Sequence, residues 1–256
     1  MQPTLINTNF HLHAFRIPSL TTGMEVVHTP NLTYINSGLN CDTFNIIHIN
    51  NGQQLTIQEI TEAVQFFRQR QLAYCIWVSQ ENATAQVLQF FNRLNLHQQN
   101  ADPGMVLDLQ TYSPQENDAH QHIRIVRTPK MLADYAQVIA ANWSPPDIHV
   151  QEYYRQTATH YLNPDLGVVL AVFYYNEIPI ATIELFPSDV ETIGLYGQAT
   201  LADQRGKGIG SAMLTYALNL AQSLGYKNAV LQASQDGIEL YKKMGFQTFT
   251  QYFEFG

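Results

Sequence analysis

From Arg205 to Ser211 the chain runs Arg-Gly-Lys-Gly-Ile-Gly-Ser, three glycines at alternate positions with two cations among them. Backbone without side chains lets a large anion come close, and glycine alone takes left-handed dihedrals freely. Gly194 to Leu201 before it reads as a strand, and Ala202-Asp203-Gln204 as a turn. Beyond it Ile209, Met213, Ala217, Leu220 and Leu224 recur at helical spacing, with Gly225 as a left-handed cap. A helix N-terminus there offers about four unpaired N–H groups and roughly half a positive charge. Arg205 and Lys207 add charged donors, so the chemistry these residues support is phosphate binding. An ordinary strand–turn–helix with a glycine-rich link has the same composition. Spacing excludes two other phosphate loops. Lys207 is followed by Gly208 where a P-loop needs Ser or Thr, and Ser211 stands where the dinucleotide fingerprint needs its third glycine.

The pattern that is met is Arg-x-x-Gly-x-Gly, at Arg205, Gly208 and Gly210. Further on, Tyr241-Lys242-Lys243-Met244-Gly245-Phe246 spells Tyr-x-x-x-Gly-Phe. In this order, with a strand and a helix start between them, the two motifs resemble the coenzyme A pyrophosphate loop and final helix of the GNAT N-acetyltransferase superfamily.

Two series of elements must position these residues. Residues 1–40, dotted with Thr, Asn, Pro and Gly, read as irregular, and His11 and His13 as a surface pair without a third metal ligand. Phe44 to Ile49 reads as a strand. Thr56 to Glu59 is a capping box that opens a helix with Ile60, Val64 and Phe67 on its apolar face. Leu72 to Val78 is a second strand, Asn82 caps a helix through Val87, Phe91 and Leu94, and Met105 to Leu109 is a third strand. Residues 110–121 are polar and read as a linker with solvated His120 and His122. The second series runs Ile123–Val126, a helix from Pro129 to about Trp143, a helix from Val150 to Leu162, and strands Gly167–Tyr175, Ile178–Phe186 and Thr192–Leu201. The glycine-rich helix, strand Asn228–Ala233, a short helix boxed by Asp236 and Glu239, and strand Phe246–Phe255 complete it.

This order, β-α-α-β-β-β-α-β-α-β, is that of the GNAT fold, and the resemblance covers about 122–256. The first series repeats its second half, helix 57–70 matching 208–224 and helix 83–95 matching 236–244. It has no Arg-x-x-Gly-x-Gly at Asn50-Asn51-Gly52-Gln53-Gln54 and no tyrosine before a Gly-Phe. The expectation is an α/β fold with a mixed sheet in two lobes. Residues 1–117 form a degenerate, partial GNAT-like lobe without a cofactor loop, and residues 122–256 a catalytic GNAT domain.

The chain has 256 residues, enough for one large domain or two modest ones. Charged residues make up 13% against the usual quarter, and the net charge is −8. An acidic balance argues against a phosphate-backbone binder, so no nucleic acid is expected, and it favours cationic acceptors such as amines. Cys41 and Cys75 have no metal-ligand spacing and read as two thiols in a reducing compartment. Residues 1–20 lack a basic start followed by an apolar run, and no stretch is long and apolar enough to span a bilayer. A cytoplasmic protein without membrane contact or metal is expected; the sequence leaves its oligomeric state open.

The resemblance implies an acetyl-CoA-dependent N-acetyltransferase, in which a small-molecule or peptide amine attacks the thioester directly. Arg205, Gly206, Lys207, Gly208, Ile209, Gly210 and Ser211 would hold the pyrophosphate. Backbone near Gln198, Ala199 and Thr200 would hold the pantetheine arm and acetyl oxygen. Ser234 stands where many members carry a cofactor-contacting Asn. Gly194 and Gly197 fit a strand bulge or, equally, close packing under an aromatic. Tyr241 is the general acid the resemblance implies. No carboxylate lies between Thr192 and Ala202, so Glu184 on the adjacent strand, acting through a water held by Tyr196, is the candidate base. Trp143, Tyr153, Tyr154 and Tyr161 line the acceptor's approach or pack the helical cap. The rival readings are a CoA-binding regulatory module with lapsed catalysis, and transfer from another acyl-CoA.

Overall fold

A computed structural model describes residues 2–256. In chain order the strands are β1 (Glu25–His28), β2 (Leu32–Asn36), β3 (Ile46–Ile49), β4 (Cys75–Ser79), β5 (Gln98–Asp108), β6 (Ile123–Ile125), β7 (Val169–Tyr175), β8 (Ile178–Pro187), β9 (Thr192–Thr200), β10 (Asn228–Gln232) and β11 (Gln247–Phe255). The helices are α1 (Gln2–Leu20), α2 (Ile57–Arg70), α3 (Ala85–Arg93), α4 (Pro129–Ala140), α5 (Ile148–Gln156), α6 (Ala158–Tyr161), α7 (Ile209–Ser223) and α8 (Ile238–Lys243). All the strands join one mixed sheet in the order β1-β2-β3-β4-β11-β5-β10-β9-β8-β7-β6.

Both halves run a similar course: antiparallel strands, three in the first (β1–β3) and four in the second (β6–β9), then a parallel pair joined through a helix, β3–α2–β4 in one and β9–α7–β10 in the other. Their last strands are exchanged. β5, from the first half, pairs with β10, and β11, from the second, pairs with β4. The two exchanged strands also pair with each other along most of their length, which makes the sheet continuous.

Alternation along the strands sorts the core onto two faces. Met105 and Leu107 of β5, with Leu109 just beyond it, pack with Met213, Leu214 and Leu218 of α7, while Val106 packs with Ile6 and Phe10 of α1. α2 and α3 cover the same face as α7, through Ile60, Val64, Phe67 and Phe91 on Ile47, Ile76 and Phe255. α1 joins α4, α5 and α6 on the opposite face, where Ile17 packs with Leu132, Tyr135 and Tyr154.

The region read as irregular therefore holds a 19-residue helix and two strands. α1 was hidden because its buried stripe is interrupted by polar residues: Asn9 is fully buried between Ile6 and Phe10, and Pro18 sits in the last turn. His11 and His13 lie on this helix, part-buried, instead of on a strand or the open surface. Thr84, instead of Asn82, caps α3, and Gly237 begins α8 without a side-chain cap. Asp236 and Glu239 form no box there; they pair with Arg205 and Lys242. His120 is not free in solvent, since its Nε2 meets Thr215 Oγ1 at 2.9 Å. The capping box at Thr56 and Glu59 is present, and Asn176-Glu177 turns the β7–β8 hairpin with positive φ at both residues. Cys41 and Cys75 are buried free thiols. Among the described residues no helix is long and apolar enough to cross a membrane.

The strand exchange predicts that neither half folds alone. Residues 118–256 would lack β5 and leave β10 and β11 without a common neighbour. Produced alone, this fragment should show no cooperative thermal unfolding by circular dichroism, and co-expression with residues 1–117 should restore it.

Candidate active site

β8 and β9 are out of step by one residue. Thr182 pairs with Ala199 and Glu184 with Tyr196, so Gly197 and Gln198 together oppose the single residue Ile183. This is a β-bulge, and its first residue takes the left-handed φ of 52° that favours glycine. A second constraint acts at the same position. A Cβ on Gly197 would lie 2.1 Å from the hydroxyl oxygen of Tyr135, which presses on the strand from α4. Thr182 Oγ1 donates to the Gly197 carbonyl at 2.8 Å and fixes the surplus residue. Gly194 is required differently, because its Cβ would collide with Asn9 Oδ1 at 2.0 Å and the Tyr196 ring at 2.4 Å. Of the two expectations, the bulge describes Gly197 and close packing describes Gly194.

The extra residue turns Gln198 toward the face opposite Tyr196. Gln198 Nε2 donates to the Gly210 carbonyl on α7 at 3.0 Å, and its Oε1 accepts from the Tyr241 hydroxyl on α8 at 3.0 Å. On the other side of β9, parallel pairing with β10 ends at Gly194–Val230, although β9 runs on to Thr200 and β10 to Gln232. The two strands splay apart toward the loop.

After a turn at Ala202–Gln204, Gly206 and Gly208 take φ of 74° and 79°, and a Cβ on either would meet nothing within 4 Å. Their glycine is demanded by dihedral angle, and the space beside them is open. Gly208 begins α7 with no side-chain cap, so the first-turn N–H groups are left for a ligand. The cavity in front of them measures about 640 Å³. It is lined by Gln198, Ala199, Thr200, Arg205, Gly206, Gly208, Ile209, Gly210, Ser211, Ser234 and Tyr241, which the sequence had singled out, and also by Asn142 and Asp236. Lys207 is the exception. Its ammonium bonds Gln204 Oε1 at 3.0 Å, and the residue lines a neighbouring hollow with His122. Arg205 donates to the Thr200 carbonyl at 3.1 Å and reaches Asp236 at 3.7 Å, spanning the cavity mouth.

Glu184 and Tyr196 line a different cavity of about 200 Å³ on the opposite face. Glu184 is buried, and its Oε1 has no hydrogen-bond partner. His13 Nε2 lies 3.5 Å from this oxygen, itself without a partner. The His13 ring stacks on Tyr196 with centroids 3.5 Å apart and planes at 7°. The Tyr196 hydroxyl donates to Asn9 Oδ1 at 2.7 Å, so its proton is tied to α1. Tyr153, Tyr154 and Tyr161 do line this cavity, whereas Trp143 is exposed. Burial first, and the Glu184 carboxylate second, push the Tyr135 and Tyr161 phenols well above their ordinary range. These hydroxyls stay protonated and neutral, and Glu184 is the one carboxylate among the lining residues. Burial likewise pushes Tyr241 up to about 12. His13 and Asn9 were missed because nothing in residues 1–20 disclosed the helix that carries them. Among the described residues no group of three His, Cys, Asp or Glu could hold a metal.

The fold and site define a mixed α/β protein with an open helix terminus as an anion cradle, set beside a splayed strand pair. Residues 133–246 match the Acetyltransferase (GNAT) family, a GNAT domain within the second half of the chain. The whole fold is similar to that of a GCN5-related N-acetyltransferase from Kribbella flavida, with a TM-score of 0.70 at 15% identity over 98% of this chain and 93% of that one. A GCN5-related N-acetyltransferase from Sphaerobacter thermophilus gives 0.57 at 17% identity, over 88% and 79%. A tandem GNAT protein from the clavulanic acid biosynthesis pathway gives 0.59 at 12%, over 92% and 83%. At these identities the likeness is one of fold. No curated protein matches the sequence.

The Gly197–Tyr135 contact makes a quantitative test. Gly197→Ala introduces both a left-handed alanine and the clash with the phenol oxygen, and should destabilise by about 2 kcal/mol or more. In a Tyr135→Phe background the steric part should largely vanish and the dihedral part persist. Urea unfolding of the two single variants and the double variant should therefore be non-additive by about 1 kcal/mol.

Proposed function

We propose that this chain is an acetyl-CoA-dependent N-acetyltransferase that joins its two substrates in a ternary complex, with residues 122–256 as the catalytic lobe. The observation that carries the reading is the uncapped start of α7 behind two left-handed glycines, next to the unpaired half of β9. Backbone N–H groups from Gly206 to Ser211 would hold the pyrophosphate, with Arg205 as the charged donor. The free edge of β9 beyond Gly194 would pair with the pantetheine arm. At the bulge, backbone N–H groups of Gln198 and Ala199 would polarise the acetyl carbonyl.

Glu184 takes the proton released as the amine nitrogen attacks the acyl carbon. The new C–N bond replaces the C–S bond, and the leaving thiolate needs a proton or a donor. Tyr241 supplies the donor. A phenol held at about 12 is a weaker acid than a thiol of about 8.5, so its main contribution is a hydrogen bond to the developing thiolate. The hydroxyl must leave Gln198 Oε1 to make that bond. Most of the acceleration then comes from holding two substrates at one bulge.

Residues 1–117 form a GNAT-like lobe without a cofactor site. The corresponding helix start is closed. In α2, Thr56 and Glu59 satisfy each other's backbone, and a Cβ on Gly52 would lie 1.8 Å from the Asn82 carbonyl oxygen, which fills the space. Calorimetric titration should therefore find one acetyl-CoA per chain, abolished in Gly208→Val while the variant stays folded. Two sites per chain, or full affinity in that variant, would overturn the assignment.

Tyr241→Phe removes one hydroxyl. Because its hydrogen bond to sulfur exists mainly in the transition state, kcat and kcat/KM should fall together by about a hundredfold, with KM nearly fixed. The lost bond to Gln198 should cost about 1 kcal/mol of stability. Steady-state kinetics paired with a melting curve checks both, and wild-type turnover in the variant removes Tyr241 from the mechanism.

A further inference from the structure

The smaller cavity has walls from both halves of the chain. Ala14 and Pro18 of α1, Ile35 of β2, and Thr43, Phe44 and Ile46 close it on one side. Tyr153, Tyr154, Tyr161, Tyr196 and Glu184 close it on the other. Gly197 lines this cavity and Gln198 lines the larger one, so the two spaces flank the β9 bulge from either side. The single carboxylate has a side chain only 2% exposed and an oxygen without a hydrogen bond. A carboxylate removed from water in this way calls for a compensating cation. The tyrosines that line it keep their protons, since burial raises the Tyr154 and Tyr161 phenols, so they add no negative charge. A volume of about 200 Å³ equals about seven waters at roughly 30 Å³ each, so the guest has about six or seven heavy atoms.

We infer that this cavity is the acceptor site, and that the acceptor is a compact aliphatic primary monoamine, bound as its ammonium by Glu184 with its alkyl tail against the first half of the chain. The assignment rests on the acetyltransferase reading above. It disfavours acceptors that carry a carboxylate beside the amine, because Glu184 repels them and the cavity walls hold no Lys or Arg to answer. His13, 24% exposed and 3.5 Å from Glu184, stands where the released proton can pass outward. The transfer balances. The ammonium gives one proton to Glu184, the nitrogen lone pair forms the amide bond to the acetyl carbon, and the C–S electron pair leaves on sulfur. There it takes up the second proton, which the nitrogen sheds as the amide forms, while Glu184 releases the first, giving the amide, free CoA and one net proton.

The test uses the full chain and n-butylamine as probe, with butan-1-ol and butyrate as neutral and anionic controls of similar size. Ligand-observed NMR should show n-butylammonium binding at least tenfold tighter than either control. Glu184→Gln should remove that preference. Ala14→Leu, which fills the cavity from α1, should weaken n-butylamine at least tenfold, and both variants should keep the wild-type affinity for acetyl-CoA within twofold. A melting curve for each variant separates a filled or neutralised site from an unfolded one. Equal binding of butan-1-ol, undiminished binding to folded Glu184→Gln, or no binding of n-butylamine overturns the inference. Loss of the parent reading looks different. A wild-type chain that binds n-butylamine with the expected preference yet binds no acetyl-CoA retains the ammonium site and is not an acetyltransferase.

Discussion

Between Tyr196 and Ala199, β9 carries two residues against the single Ile183 of β8, and that surplus determines which way every later side chain of the strand points. Up to Tyr196 the strand presents its chemistry to the face covered by α1 and α4. From Gln198 the side chain meets α7 and α8. A regular strand would put residues 196 and 198 on one face, and a single side chain could not then bridge Gly210 and Tyr241. The bulge thus sets a small cavity with a buried carboxylate and a large cavity with an open helix terminus against adjacent residues, Gly197 and Gln198. Gly197 is held there twice over, by its left-handed dihedral and by the Tyr135 oxygen that occupies the volume of a Cβ.

α1 makes the small cavity possible. It lies on the sheet face opposite α7, packing on β5 and β11 through Ile6 and Phe10 and on β9 through Asn9 and His13. Asn9 accepts from Tyr196 and donates to the Phe186 carbonyl at 3.0 Å, so one buried amide ties the helix to β8 and β9 together. A buried amide left unpaired is costly, which makes this register of helix on sheet strongly preferred over its neighbours. Gly194 belongs to the same arrangement, because any side chain there would displace Asn9. The strand exchange adds a second tie, since β5 and β11 each complete the other half's portion of the sheet.

What could be read from the sequence follows from how local each signal is. Arg205, Gly206, Gly208 and Gly210 announce themselves because dihedral demands and helix starts are written within a few residues, and Tyr241 because its helix ends at a Gly-Phe within five. Glu184 was found only by default, as the nearest carboxylate to a strand that has none. Its burial, its missing partner and the ring of tyrosines come from residues on five separate elements, which no local pattern encodes. His13 lay beyond reach for a further reason. The helix that carries it buries Asn9 and holds Pro18 in its last turn, so its apolar period is broken by the groups that anchor it. The exchanged last strands were equally hidden, because either pairing satisfies the same alternation of side chains.

The two halves share one topology yet treat the N-terminus of their crossover helix in opposite ways. In α7 the cap position is a glycine, no side chain answers the first N–H groups, and the space in front is open. In α2 the Thr56 hydroxyl and Glu59 carboxylate answer them, and Thr29 and Asn31 in turn hold Glu59. A capped helix of this kind gains about 1 kcal/mol from its box, while an uncapped one keeps a partial positive charge for an anion. Opening the first half to a phosphate would take more than the loss of the box, since the Asn82 backbone also occupies the approach at Gly52. The same Asn82 donates to the Ile49 and Asn50 carbonyls, so removing it would unfasten the end of β3. Closure of one helix start is therefore built into the stability of its half, and the half so closed is free to supply α1, β2 and β3 as walls beside the site of the other.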